Sequence, residues 1–126
     1  MIRFPLLVLA GLLSAPLMDL GSVAWMQMLP PTLDLTANYF AMVVLPVAMI
    51  LHFAVALLFW KAFEPSPGKG SVVYLGTHLA AQAAWLSMFL NPIADILVYD
   101  LVLLGTGSAV LFVFNRYFWC PACAAI

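Results

Sequence analysis

His52 and His78 are the residues of this chain best suited to chemistry, because each sits inside a run that otherwise suits lipid. An imidazole gains or loses a proton near neutral pH and is a common axial ligand of haem iron. Inside a membrane such a side chain is costly, and it marks function by default. The two runs, residues 39–61 and 72–93, are both long enough to cross a hydrocarbon layer of ~30 Å as helices. His52 lies nine residues before Lys61, and His78 lies nine residues after Lys69. At helical rise each ring is about 13 Å from the same end of its helix, so the two imidazoles are expected at one depth. The expectation drawn from this is a cofactor-binding pair, His52 and His78, sharing one b-type haem. The competing expectations are a structural role, with both rings hydrogen-bonded to backbone or to Thr and Gln, and a proton relay or substrate contact. In helix count and one histidine pair only, the arrangement is loosely similar to small haem-bearing four-helix membrane cytochromes.

Three further polar side chains fall inside apolar runs: Asp19, Gln82 and Asp100. A carboxylate in a membrane helix must be protonated, paired or turned to water, and such groups line proton and ion paths. Gln82 is one turn beyond His78 and could orient it, or bond a neighbouring helix instead. Asp100, near the start of its helix, is expected to reach interfacial water. Cys120 and Cys123 form a C-x-x-C, which can exchange disulfides or supply two metal ligands, although two thiols alone make an incomplete zinc site. The last four residues also fit a prenylation pattern, which would add little to a chain already in the membrane. Met18, Met26, Met28, Met42, Met49 and Met88 are compatible with a Cu(I) path, but methionine is also an ordinary core residue. No glycine-rich phosphate loop, no nucleophile with its base and no H-E-x-x-H pattern is present.

The elements that must position these residues follow from composition. Of 126 residues 67% are hydrophobic and 7% charged, with a net charge of -1. That excludes a small soluble domain and a nucleic-acid binder, and leaves a polytopic membrane protein. Four apolar runs, residues 4–29, 39–61, 72–93 and 96–118, predict an all-α fold: one transmembrane domain over residues 1–126, with four helices in an up-down bundle. The N-terminal run has the look of a secretory signal and is read as an uncleaved first helix. Its middle carries Pro16, where a kink is expected, and Gly11, Ala15, Met18, Asp19 and Ser22 form a small-residue seam for helix contact.

Pro30 and Pro31 end that helix, and Thr36 or Asn38 is a candidate cap for the next. In the second helix Pro46 must deprive the carbonyl near Met42 of its donor, and Ala41, Leu45, Ala48, His52 and Ala56 share the expected inward face. Glu64 to Gly70 reads as a polar turn. The third helix has a stripe of His78, Ala81, Gln82 and Trp85, and Asn91-Pro92 should end it. Asp95 is the expected cap of the fourth, which contains Gly105-Thr-Gly-Ser108 and closes in an aromatic and basic belt around Arg116.

Arg3, Lys61, Lys69 and Arg116 all fall on one side of a four-pass arrangement, which by the positive-inside rule places both termini in the cytoplasm. The function expected is a small accessory subunit of a larger redox or energy-converting complex in the inner (plasma) membrane. Its partners would be other membrane subunits, lipids and a quinone. The alternative is a stand-alone carrier or channel with Asp19, His52, His78 and Gln82 along the path. A third reading is a thiol- or metal-handling protein centred on Cys120 and Cys123.

Overall fold

The computed structural model describes residues 3–63, 66–88 and 93–119, and these are helical with short breaks. Three helices are long and apolar enough to cross a membrane: Arg3–Met28, Phe40–Leu58 and Val98–Tyr117. The first is α1, Arg3–Met28, which runs without a break through Pro16. The short α2, Leu35–Tyr39, holds a non-helical residue at Asn38 (φ −114°, ψ 15°) and leads into a π-helical segment, Phe40–Val44, and then α3, Leu45–Leu58. The helix breaks at Phe59 before a single turn, α4, Trp60–Phe63. A longer helix, α5, covers Pro67–Leu86, and α6, Ile93–Phe114, ends in a second π segment, Asn115–Trp119.

The bundle closes as a ring. α1 packs most extensively on α5 and α3 on α6, while α5 also meets α6 and α1 also meets α3. Of the seam expected on α1, Gly11, Ala15, Met18 and Ser22 are buried and face inward, joined by Leu7, Ala10 and Ser14, while Asp19 is only half-buried at its edge. Gly11 is needed there. A Cβ at this position would stand 2.7 Å from Thr77 Cβ and 3.0 Å from the His78 backbone nitrogen, so only a glycine lets α1 and α5 come this close.

Two expected boundaries move. The helix expected at 72–93 begins at Pro67, because a proline in the first turn gives up no intrahelical bond, and it closes with the Ser87 N–H on Ala83 O. Gly70 then lies inside the helix, where a Cβ would meet Phe63 Cα at 3.1 Å, so the hairpin between α4 and α5 depends on it. The fourth helix is already under way at Ile93, so Asp95 is inside it and is not its cap. Glu64, Asn91, Pro92, Cys120 and Cys123 lie outside the described residues.

The inward face of the second rod also differs from expectation. Ala48, His52 and Ala56 are buried with Val44, Val47 and Val55, but Ala41 is exposed. The π segment is the reason, since a wider turn rotates every residue upstream of Leu45 relative to those downstream. Pro46 is the cause in the sequence: it offers no N–H to Met42 O. That carbonyl is met from another helix, because Trp25 Nε1 donates to Met42 O at 2.7 Å.

Candidate functional site

His52 and His78 meet in the centre of the bundle. Both are fully buried, and their rings stand edge to face with centroids 4.9 Å apart and planes at 83°. They come from α3 and α5, which face each other across the ring of helices, and the equal depth read from Lys61 and Lys69 is what allows them to touch. Each ring is held through Nδ1. His52 Nδ1 lies 2.9 Å from the Tyr74 hydroxyl, and His78 Nδ1 lies 2.5 Å from Ser14 Oγ. Tyr74 and Ser14 are themselves buried. Sequence reasoning missed both as partners. Tyr74 sits one turn before His78 on α5, and Ser14 lies beside Gly11 on the α1 seam.

Ser14 is shared between the backbone and the ring. Ser14 Oγ donates to Gly11 O at 2.6 Å, and a serine has one hydrogen to give. When that hydrogen goes to Gly11 O the serine accepts from His78 Nδ1, and when it goes to His78 the ring's proton is on Nε2, so the serine hydroxyl and the tautomer of His78 are coupled. Nε2 of His78 and Nε2 of His52 are both buried and have no hydrogen-bond partner among the described residues.

One layer along the bundle, Gln82 Nε2 donates to Asp19 Oδ1 at 3.3 Å, joining α5 to α1. Gln82 is fully buried and turns to the neighbouring helix instead of orienting His78, which is the role Ser14 takes. Its Oε1 is buried with no hydrogen-bond partner among the described residues. Of the expected stripe, Trp85 is exposed and His78 and Gln82 are buried. On α6 Asp100 is half-buried, and its Oδ1 likewise has no hydrogen-bond partner among the described residues. Four expected residues, Asp19, His52, His78 and Gln82, are thus gathered along the α1, α3 and α5 contacts, while Asp100 stands about two turns from Gly107, the α6 residue beside His52.

A haem between the histidines does not fit this arrangement. Bis-imidazole ligation aims both Nε2 atoms at one iron with a flat macrocycle between the rings, yet here the rings are in contact. Beside His52 Nε2 there is less than a methyl group of space: a Cβ on Gly107 would stand 3.2 Å from it and 2.5 Å from Leu75 Cδ2. The small neighbours Ala48, Ala56 and Gly107 draw helices together and do not open a cavity. Among the described residues no group of three or more His, Cys, Asp or Glu side chains is placed to hold a metal ion.

The polar centre is sealed on both sides. One apolar cluster, around Leu7, Ala10, Phe63, Leu75 and Phe114, lies toward α4, and another, around Met18, Val44, Val47, Leu86 and Leu103, lies toward the far end. A different feature faces outward. An open apolar groove of about 1030 Å³ runs between α3 and α6, from Phe40 to Leu57 on one wall and from Leu101 to Val113 on the other. Gly105 and Ala109 form part of its lining, and at Gly105 a Cβ would meet nothing within 4 Å.

No known family, curated protein or solved structure matches this chain. What it does must be read from its own residues.

Proposed function

We propose that this protein is a small integral-membrane subunit of a larger membrane complex. It crosses the bilayer four times with both termini in the cytoplasm, and it receives a partner subunit's helix in the groove between α3 and α6. The groove is the observation that carries this reading. It extends about 25 Å along the helix, close to the ~30 Å hydrocarbon layer. Its walls are apolar, and Gly105 and Ala109, four residues apart, are small and exposed in its lining, with none of the described residues within 4 Å of a Cβ at Gly105. Small residues at that spacing let a second helix backbone approach within a membrane. Leu17, Leu20, Ile50, Leu58 and Phe112 are exposed elsewhere on the bundle, where lipid covers them at no cost and water would not. Lipid chains or a quinone tail would contact the same outer surface.

The fourth crossing is α5. It is less apolar than the others because it carries Lys69 near its start and Thr77, His78 and Gln82 along its length. His78 and Gln82 are fully buried and Thr77 bonds back to Val73 O, while Lys69 is exposed at the start of the helix, so the middle of the bundle can still present an apolar surface to lipid. Removing the haem from the proposal also removes the main reason to assign the complex to electron transport. The carrier or channel reading is favoured by the gathering of Asp19, Gln82, His78 and His52, but it needs a path, and both sides of the histidine layer are closed by packed apolar side chains.

Purification from the native membrane in mild detergent tests the proposal. A second polypeptide should travel with the protein and be lost from a Gly105→Leu variant that still folds. A monodisperse species with no other polypeptide would overturn it. For orientation, a membrane-impermeant thiol reagent should reach Cys120 and Cys123 only from the cytoplasmic side, and labelling from the outside alone would reverse the topology.

A further inference from the structure

Four side chains from three other helices come near the Asp19 carboxylate, at the end of the bundle away from its Lys and Arg residues. Gln82 Nε2 of α5 donates to Asp19 Oδ1 at 3.3 Å, and the Trp85 indole is a second hydrogen-bond partner of the same carboxylate. Tyr39 from α2 and Tyr99 from α6 hydrogen-bond each other, and both feel the charge of Asp19. An indole can only donate, so Trp85 suits Asp19 as an anion. His78, one turn before Gln82, bonds Ser14 and not Asp19. An ionised carboxylate in an apolar layer needs a counter-charge. The chain's only Lys and Arg residues are Arg3, Lys61, Lys69 and Arg116, and none is placed to supply it. Arg3 is sixteen residues from Asp19, Lys69 thirteen from Gln82 and Arg116 seventeen from Tyr99, which is about 20 Å or more along each helix. Lys61 lies beside the same α4–α5 turn as Lys69, with its Nζ over the Trp60 ring.

The carboxylate can be reached. Asp19 and Tyr39 are half-buried and Trp85 is 38% exposed, so a ligand meets them from outside the bundle and needs no path through it. We propose that Asp19, Tyr39 and Trp85 form a binding site for a monovalent organic cation of the quaternary-ammonium class, with Gln82 and Tyr99 as positioning residues. The carboxylate supplies the opposite charge, and the indole and phenol rings supply π systems that attract a cation within ~6 Å. Gln82 fixes Asp19 through its amide, and the Tyr99 hydroxyl fixes that of Tyr39. An organic ammonium suits these groups better than a metal ion. A hard metal ion takes six or more oxygen ligands, whereas one carboxylate with aromatic neighbours matches a cation whose substituents are themselves apolar. Asp34, ahead of α2, and Asp95 and Asp100, in the first two turns of α6, add negative charge at the same end and draw cations toward it. The five residues share no member with the groove between α3 and α6, so failure of either proposal leaves the other standing.

Calorimetric titration of the full-length protein in lipid nanodiscs with benzyltrimethylammonium, against empty nanodiscs, tests this. Saturable binding at one site per chain is expected, at least about tenfold weaker in Asp19→Asn and weaker also in Trp85→Leu. Na+ at the same concentration should not displace the probe. In the unsubstituted protein a carbodiimide, which couples to carboxyl groups, should label Asp19, and the probe should protect Asp19 but not Asp34, read by mass spectrometry of the peptides. The absence of saturable binding, binding unchanged in Asp19→Asn, or equal competition by Na+ overturns the proposal. Should Asp19→Asn not fold, labelling of Asp19 that the probe leaves unaltered overturns it.

Discussion

The bond from Trp25 to Met42 O offers a sharp test of how this bundle is held together. Pro46 leaves that carbonyl without its helical donor, and the indole of α1 reaches it at 2.7 Å. Hydrogen bonds between membrane helices contribute ~0.6 kcal/mol on average and at most ~1.7. An acceptor left unpaired away from water costs ~1–3 kcal/mol. Trp25→Phe should therefore destabilise the bundle by about 1–2 kcal/mol, including some lost packing. Pro46→Ala returns an N–H to position 46, so the same carbonyl can be met from within its own helix. In that background Trp25→Phe should cost only the packing share, which leaves an interaction energy of about 1 kcal/mol between the two positions. The assay is detergent-titrated unfolding followed by far-UV circular dichroism for the four members of the cycle. Equal costs of Trp25→Phe in both backgrounds would refute the idea that the indole substitutes for the donor proline removes.

The remaining predictions concern the glycines, the histidine partners and the cofactor. Gly11→Ala pushes a Cβ against Thr77 and the His78 backbone and should cost about 1–3 kcal/mol even after the gain in helix propensity, whereas Gly76→Ala, which meets nothing within 4 Å, should be neutral or stabilising in the same unfolding titration. Equal behaviour of the two would show that the α1–α5 contact is not set by Gly11. Tyr74→Phe removes the partner of His52 Nδ1 and should cost about 1–3 kcal/mol through the unpaired nitrogen, read as a lower unfolding midpoint, and no loss would mean the hydroxyl is not the partner. The purified protein should show no haem Soret band, and a band that disappears in His52→Ala and His78→Ala would restore the haem reading.

Much of the architecture was legible in the chain itself. Run length and composition determined helices, three of them long and apolar enough to cross a membrane, because a hydrocarbon layer demands about 20 apolar residues whatever their neighbours do. Helical rise from Lys61 and Lys69 placed His52 and His78 level with one another, and the seam of Gly11, Ala15, Met18 and Ser22 was visible as small residues at helical spacing. The missing proline donor near Met42 could be read from Pro46, but not the residue that would meet the carbonyl.

Tertiary structure alone decided the rest. Level rings could flank a haem or touch, and the choice depends on how far apart and how rotated the helices stand. The Gly11 contact brings α1 onto α5 and places Ser14 on His78, and Gly107 admits His52 beside α6. The π segment turns Ala41 away from the core and onto the outer groove. Periodicity within one helix says which residues share a face. Helix separation and rotation arise between helices, from side-chain volumes at a few close contacts, and these decide which nitrogen meets which hydroxyl.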